Sequence, residues 1–155
     1  MKAPVFKTIM NVYPPYLGTG IRVAHVSPDY RRVDVEMKLR WYNRNYVGTH
    51  FGGNLASMTD PFFVLMLVNI LGPDYRVLDM SGTIDFLQPA RGRVRARFQL
   101  SREQIDEIVA ATANGDKYQP VLKVNIVDEQ NETVARVRKT LYVRRKKARL
   151  VEATC

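Results

Sequence analysis

The spacing of apolar positions changes several times along the chain, and each change predicts an element. Val5, Phe6, Ile9, Met10 and Tyr13 recur at helical spacing, and Pro14-Pro15 should stop that short helix rather than serve as a polyproline ligand. Ile21 to Val26 predicts a first strand, turning at Ser27-Pro28-Asp29. Val33, Val35, Met37, Leu39 and Trp41 then alternate with Asp34, Glu36, Lys38 and Arg40, the period of a strand with one wet face. Gly72-Pro73-Asp74 breaks the chain, and residues 75–87 predict a strand bent near Ser81-Gly82. After a turn at residues 89–92, Val94, Ala96, Phe98 and Leu100 face inward while Arg93, Arg95, Arg97 and Gln99 face out. Ser101 and Gln104 form a capping-box pattern that opens a helix running to about Ala113. Residues 118–127 and 133–143 predict two closing strands around a hairpin turn at Asp128 to Asn131.

Residues 45–71 dominate this pattern. A polar, glycine-bearing turn (Asn45-Tyr-Val-Gly-Thr-His-Phe-Gly-Gly-Asn54) runs straight into Leu55, Met58, Phe62, Leu65 and Met66, one helical face. Gly52-Gly53 allows a tight backbone entry, and Asn54 is a good cap. From Pro61 to Leu71 the helix is apolar nearly all round, which predicts burial on every side. That run is shorter than the roughly 18 residues a membrane span needs, so a core helix is expected, with no membrane partner.

Two features of this helix are chemical. Its first turn presents unpaired N–H groups and the positive end of the helix dipole, which suit an anion or a developing oxyanion. Further on, Asp60 places a carboxylate at the border of the apolar run, and Pro61 lacks the N–H that would pair with the carbonyl of Ser57, so a kink is expected. Asp60 is either a functional carboxylate or an exposed one capped by Ser57 or Thr59; the residue pattern leaves both open.

The 155 residues fit one ordinary domain, and 46% hydrophobic with 25% charged residues is a globular composition without low-complexity tracts. The first six residues lack a signal-peptide pattern, so a cytoplasmic protein is the default. A single cysteine, Cys155, excludes an intrachain disulfide framework, and a terminal position argues against a nucleophile. No His/Cys/carboxylate spacing suggests a metal site, and His25 reads as a surface or packed imidazole. The net charge is +9, with Arg93, Arg95 and Arg97 on one strand, Arg136, Arg138 and Lys139 on another, and Arg144 to Lys147 with Arg149 beyond. A solvated basic face is the first reading, a rim for the phosphates of coenzyme A the second, and nucleic acid the third, since no aromatic-interleaved basic motif supports it.

Asn45-x-x-Gly48-Thr49-x-x-Gly52-Gly53, with Asp60 seven positions on, resembles the signature of hotdog-fold thioesterases, closest to the phenylacetate-degradation type of acyl-CoA thioesterase and an uncharacterised bacterial subfamily. Residues 84–94, with Pro89-Ala90 at their turn, are similar to a second motif of that group, and the resemblance runs from about Gly20 to Val143. One position departs: the family usually has His just before the Gly-Gly pair, where this chain has Phe51, with His50 one place earlier.

The resemblance implies an α+β hotdog fold over residues 1–155, an antiparallel sheet wrapped round the central helix, with a helical segment at 1–19 and a basic tail at 144–155. It implies acyl-CoA as substrate, no further cofactor, and a site formed between two subunits. Carried onto this chain, the N–H of Gly53 stabilises the oxyanion, Asn45 orients the carbonyl or the water, and Asp60 from the partner is general base or nucleophile. Gly52, Asn54, Thr49, His50 and Phe51 fall around the substrate. Burial of Asp60 beside Met58 and Phe62 would raise its basicity. Independently of the resemblance, a helix apolar all round against one sheet predicts a homodimer or dimer of dimers. A non-catalytic acyl or acyl-CoA binder, motivated by the displaced His, and a basic nucleic-acid-binding domain are the alternatives.

Overall fold

A computed structural model of the chain describes residues 1–146; Lys147, Arg149 and Cys155, and most of the expected basic tail, lie outside the described residues. Helix α1 (Ala3–Asn11) ends where expected, but Pro14-Pro15 also begins something: as the first residues of a short α2 (Pro14–Leu17) they occupy positions where a missing N–H is harmless. Strands β1 (Ile21–Val26) and β2 (Arg32–Lys38) follow. The alternation of β2 predicts a strand to Trp41, yet Trp41 is 80% exposed. Buried Asn43 is the reason. Its side chain accepts from Arg40 N at 2.6 Å and donates to the Lys38 carbonyl at 2.9 Å, turning the chain off the sheet.

The central stretch forms two helices, α3 (Gly52–Ser57) and α4 (Phe62–Leu71), with the expected break before Pro61. The carbonyl of Ser57 freed there accepts from the Tyr16 hydroxyl at 3.2 Å and from Asp60 N at 3.3 Å. The N-cap of α3 is Phe51 rather than Asn54, whose side chain instead donates to the Asn43 carbonyl at 3.3 Å and lies inside the first turn. Taken as one helical stretch, Gly52–Leu71 spans 20 residues, long and apolar enough by length and composition to cross a membrane, contrary to the length argument made for residues 61–71. Its break and its packing on the sheet mark it as a core helix.

Among the described residues, β1 and β2 join β3 (Tyr75–Phe86), β4 (Arg93–Gln99), β5 (Lys117–Tyr118), β6 (Val121–Val127) and β7 (Thr133–Arg145) in one seven-stranded antiparallel sheet. Its order is β1-β2-β4-β6-β7-β3, with β5 beside β7. The predicted bend of β3 is a register shift between Asp79 and Ser81. The strand expected over 118–127 is split, because Pro120 has no N–H to give the ladder. Helix α5 (Arg102–Thr112) carries the full Ser101–Gln104 capping box.

The core lies between α4 and the inner sheet face. Phe98, at the middle of the sheet, meets Phe62 and Phe63 with ring centroids 5.1 Å from each, and Tyr16 stacks on the far side of Phe62. An antiparallel sheet closed on a central helix is the hotdog arrangement. It leaves β3 as a long edge strand beside α4, with Leu78, Met80 and Phe86 exposed.

Candidate functional site

The loop before α3 is built by Asn45. Its Oδ1 accepts from the amides of Val47 and Thr49, while Nδ2 donates to Thr49 Oγ1 at 2.8 Å and to the His50 carbonyl at 3.3 Å. Gly48 supplies a positive φ of 83° that a side chain would resist. The hydrogen-bonding groups of Asn45 are therefore engaged in shaping the loop, though the residue still borders the cavity described next.

His50 anchors the loop to the β3–β4 turn. Its amide donates to the Ala90 carbonyl and its Nε2 lies 2.9 Å from the carbonyl of Gly92. A carbonyl can only accept, so Nε2 carries the hydrogen and Nδ1 is the bare nitrogen, buried without a partner among the described residues. Burial pushes the imidazole pKa down, with the Gly92 hydrogen bond opposing in part, which favours the neutral ring.

Next in the chain, Phe51 turns outward, 53% exposed, and lays its ring over Gly53, where an added Cβ would lie 2.5 Å from a ring carbon. Phe86 of β3 covers Gly52 in the same way, at 3.0 Å. The glycine pair thus lets two phenyl rings close on the first turn of α3. No acceptor for the amides of Gly52 and Gly53 is found among the described residues, whereas those of Asn54 and Leu55 reach back to the Phe51 carbonyl.

A cavity of about 420 Å³ opens beside this turn, lined by Asn45, Thr49, His50, Gly52 and Leu55 and by residues 86–90. The structure therefore brings together the loop and helix-start residues singled out in the sequence. Asp60 stands apart. It borders a second cavity of about 290 Å³ with Tyr13, Tyr16, Ala56 and Ser57, and its side chain is 70% exposed rather than buried in the single chain. At about 1.5 Å of rise per residue, eight residues put Asp60 roughly 12 Å from Gly52 along the helix.

Asp60 is also paired. Its Oδ1 receives a hydrogen bond at 3.0 Å from the ammonium of Lys139, which is itself buried and held at 2.9 Å by Asp79. Burial would push Lys139 down, but hydrogen bonds to Asp79 and Asp60 and their charge outweigh it, and its pKa is raised. Burial first, and then the charges of Asp60 and Tyr13, raise the neighbouring Tyr16 hydroxyl, which stays protonated and donates. From the sequence, Lys139 belongs only to a basic cluster with Arg136 and Arg138, and Tyr16 is not singled out. A signal existed for Lys139: it shares the inward register of Val137 and Leu141, a position where a cation needs an explanation.

A cavity of about 880 Å³ lies away from all of this, on the outer sheet face between Asp34, Arg95, Arg97, Lys123 and Arg136. Of the cations around it, Arg97 is paired with Asp34 at 3.0 Å, and Arg93, further along β4, with Glu36 at 3.2 Å. No cluster of three or more His, Cys, Asp or Glu side chains that could hold a metal ion occurs among the described residues.

The family described as a domain of unknown function, DUF4442, matches residues 2–143. The chain belongs to that family. No curated protein matches the sequence. Among solved structures, it is similar to a Pseudomonas aeruginosa protein of unknown function named a probable thioesterase: 20% identity, 92% of this chain and 95% of the other covered, TM-score 0.79. A thioesterase from Haemophilus influenzae aligns over 92% of this chain and 90% of its own at 17% identity and TM-score 0.68. A mutant of the phenylacetic acid degradation protein PaaI from Thermus thermophilus is 25% identical over 83% of this chain and 97% of its own, with TM-score 0.58. The likeness to the first two establishes the shared hotdog fold.

Proposed function

We propose that this DUF4442 protein hydrolyses an acyl-CoA thioester at a site shared by two copies of the chain. The observation that carries the reading is the start of α3, where the amides of Gly52 and Gly53 have no acceptor among the described residues and the first borders a cavity. A thioester carbonyl aimed at that turn gains its oxyanion stabilisation from two N–H groups and the helix dipole. Thioester cleavage then needs a base for water, or a nucleophile, and Asp60 is the exposed carboxylate on the same helical stretch.

Because Asp60 lies about two helical turns from Gly52 in its own chain, the carboxylate serving one cavity must come from a second copy. The free edge of β3 and the exposed Leu78, Met80 and Val68 beside it supply the apolar surface for two-fold pairing. In the reaction, Asp60 takes a proton from the attacking water as the water oxygen bonds to the carbonyl carbon, and the carbonyl oxygen collects negative charge at Gly53. The C–S bond then breaks as the proton passes from Asp60 to the sulfur, releasing the carboxylic acid and the coenzyme A thiol. Leu55 and Phe86 give the acyl group an apolar wall. Arg91, which donates to the Gly48 carbonyl at the edge of the loop, is a cation placed for the coenzyme phosphates.

Thiol release from short, long and aryl acyl-CoAs by wild type and Asp60→Asn tests this reading. Turnover by wild type should fall by about a hundredfold or more in the variant, with the fold intact. Equal background rates in both would leave the second reading, a non-catalytic acyl-CoA binder. One feature favours that alternative: His50 is turned into the fold while the ring of Phe51 lies over Gly53.

A further inference from the structure

We infer that Lys139 is a positioning residue for Asp60: anchored by Asp79, its buried ammonium fixes one carboxylate oxygen of Asp60 and leaves the other free for the hydrolysis proposed above, on which this inference rests. Lys139 sits on the inward face of β7, between Val137 and Leu141, where a neutral side chain would fill the core at lower cost. It leaves the core by passing over Gly82, its register partner on β3, where an added Cβ would lie 3.0 Å from Lys139 Cδ. The glycine therefore makes the passage from β7 to the helix break.

The two carboxylates are not equivalent. Asp79, with a side chain 31% exposed, belongs to the sheet and holds the ammonium in place, whereas the more open Asp60 rides on backbone between two helices. The residues of that break lack a continuous helical ladder, so Asp60 is oriented by its partners: Lys139 at Oδ1, and Tyr16 through the Ser57 carbonyl. A carboxylate that must meet a substrate bound mainly by another chain needs such orientation, since misplacement by about 1 Å can cost a hundredfold in rate. The titratable groups around the cluster are Asp60 from the break, Asp79 from β3, and Tyr13 and Tyr16 from the N-terminal segment.

The test compares wild type, Lys139→Met, Lys139→Arg and Asp79→Asn by kcat and KM for acyl-CoA turnover, alongside thermal melts. Lys139→Met should lower kcat by about tenfold or more with KM within about twofold, and Lys139→Arg should restore most of the loss. Asp79→Asn, which frees the ammonium from its anchor on β3, should lower kcat as well, with KM again nearly unchanged. A folded Lys139→Met with wild-type kcat, or one whose loss Lys139→Arg fails to restore, overturns the inference. Should Lys139→Met fail to fold, Asp79→Asn decides the matter: a folded variant with wild-type kcat overturns the inference. Absence of turnover in wild type overturns the hydrolase reading itself, and the catalytic use of Lys139 with it.

Discussion

The glycine pair at the start of α3 separates stability from function sharply enough to be tested alone. Neither Gly52 nor Gly53 has a positive φ, so the backbone accepts alanine at both positions. The obstacle is a ring: a Cβ at Gly52 would meet Phe86 at 3.0 and 3.2 Å, and one at Gly53 would meet Phe51 at 2.5 and 3.1 Å. Both rings belong to exposed side chains and can swing into solvent. Against that modest cost, replacing Gly by Ala in a helix gains about 0.5–1 kcal/mol. Stability should therefore change by no more than about 1 kcal/mol, or roughly 2–4 °C in Tm for a domain of this size. Activity should respond differently. A methyl at Gly52 projects toward the cavity, and a displaced Phe51 uncovers the turn, so kcat/KM should fall by about tenfold or more in each variant. The assay is thiol release paired with thermal melts. Wild-type rates at unchanged Tm in both variants would mean that no carbonyl approaches this turn. A fall of more than about 10 °C would refute the other half of the reasoning, that the rings are free to move.

Other positions give independent checks. Tyr16→Phe removes the donor to the Ser57 carbonyl and should cost about 0.5–1.5 kcal/mol in urea unfolding; no loss would deny that bond a role at the helix break. For His50, burial depresses the folded pKa below its ordinary 6.5, so its contribution is complete above that value and is lost as pH falls toward the folded pKa. Wild type should consequently lose more stability between about pH 7.5 and pH 5 than His50→Gln, and parallel losses would contradict the buried neutral imidazole. Met80→Lys puts a charge on the exposed edge of β3 and should weaken self-association in sedimentation; a wild type already monomeric at micromolar concentration would remove the basis for a shared site.

Much of this fold could be read from period and punctuation. The alternations around Phe98 and Val124, the capping box at Ser101 and Gln104, and the break at Pro61 each depend on a few neighbouring residues, and each appears where its local chemistry puts it. What escaped depends on distant partners. The end of β2 is set by Asn43, whose side chain competes with the ladder for the Lys38 carbonyl, and no alternation carries that information. The loop residues near Gly52 come together because they are adjacent in sequence. The surroundings of Asp60 do not, since Lys139 is 79 residues away and Tyr16 reaches the same break from the N-terminus. Reading Arg136, Arg138 and Lys139 as one basic cluster also hid a change of face, for the first two point outward and the third inward.

The place of β7 in the sheet has a consequence for synthesis and folding. Strand β3 finds its only strand neighbour, among the described residues, in β7, so residues 75–86 must await partners at 135–145. Until β7 emerges from the ribosome, β3 has no route onto the half-sheet of β1, β2, β4 and β6, and α4, which can meet β4 through Phe98, lacks its β3 neighbour. Such long closures slow folding and expose aggregation-prone surface in the meantime. The sheet should thus close only once β7 has emerged, and a nascent chain stalled before residue 133 should be a substrate for chaperones rather than a partly working enzyme.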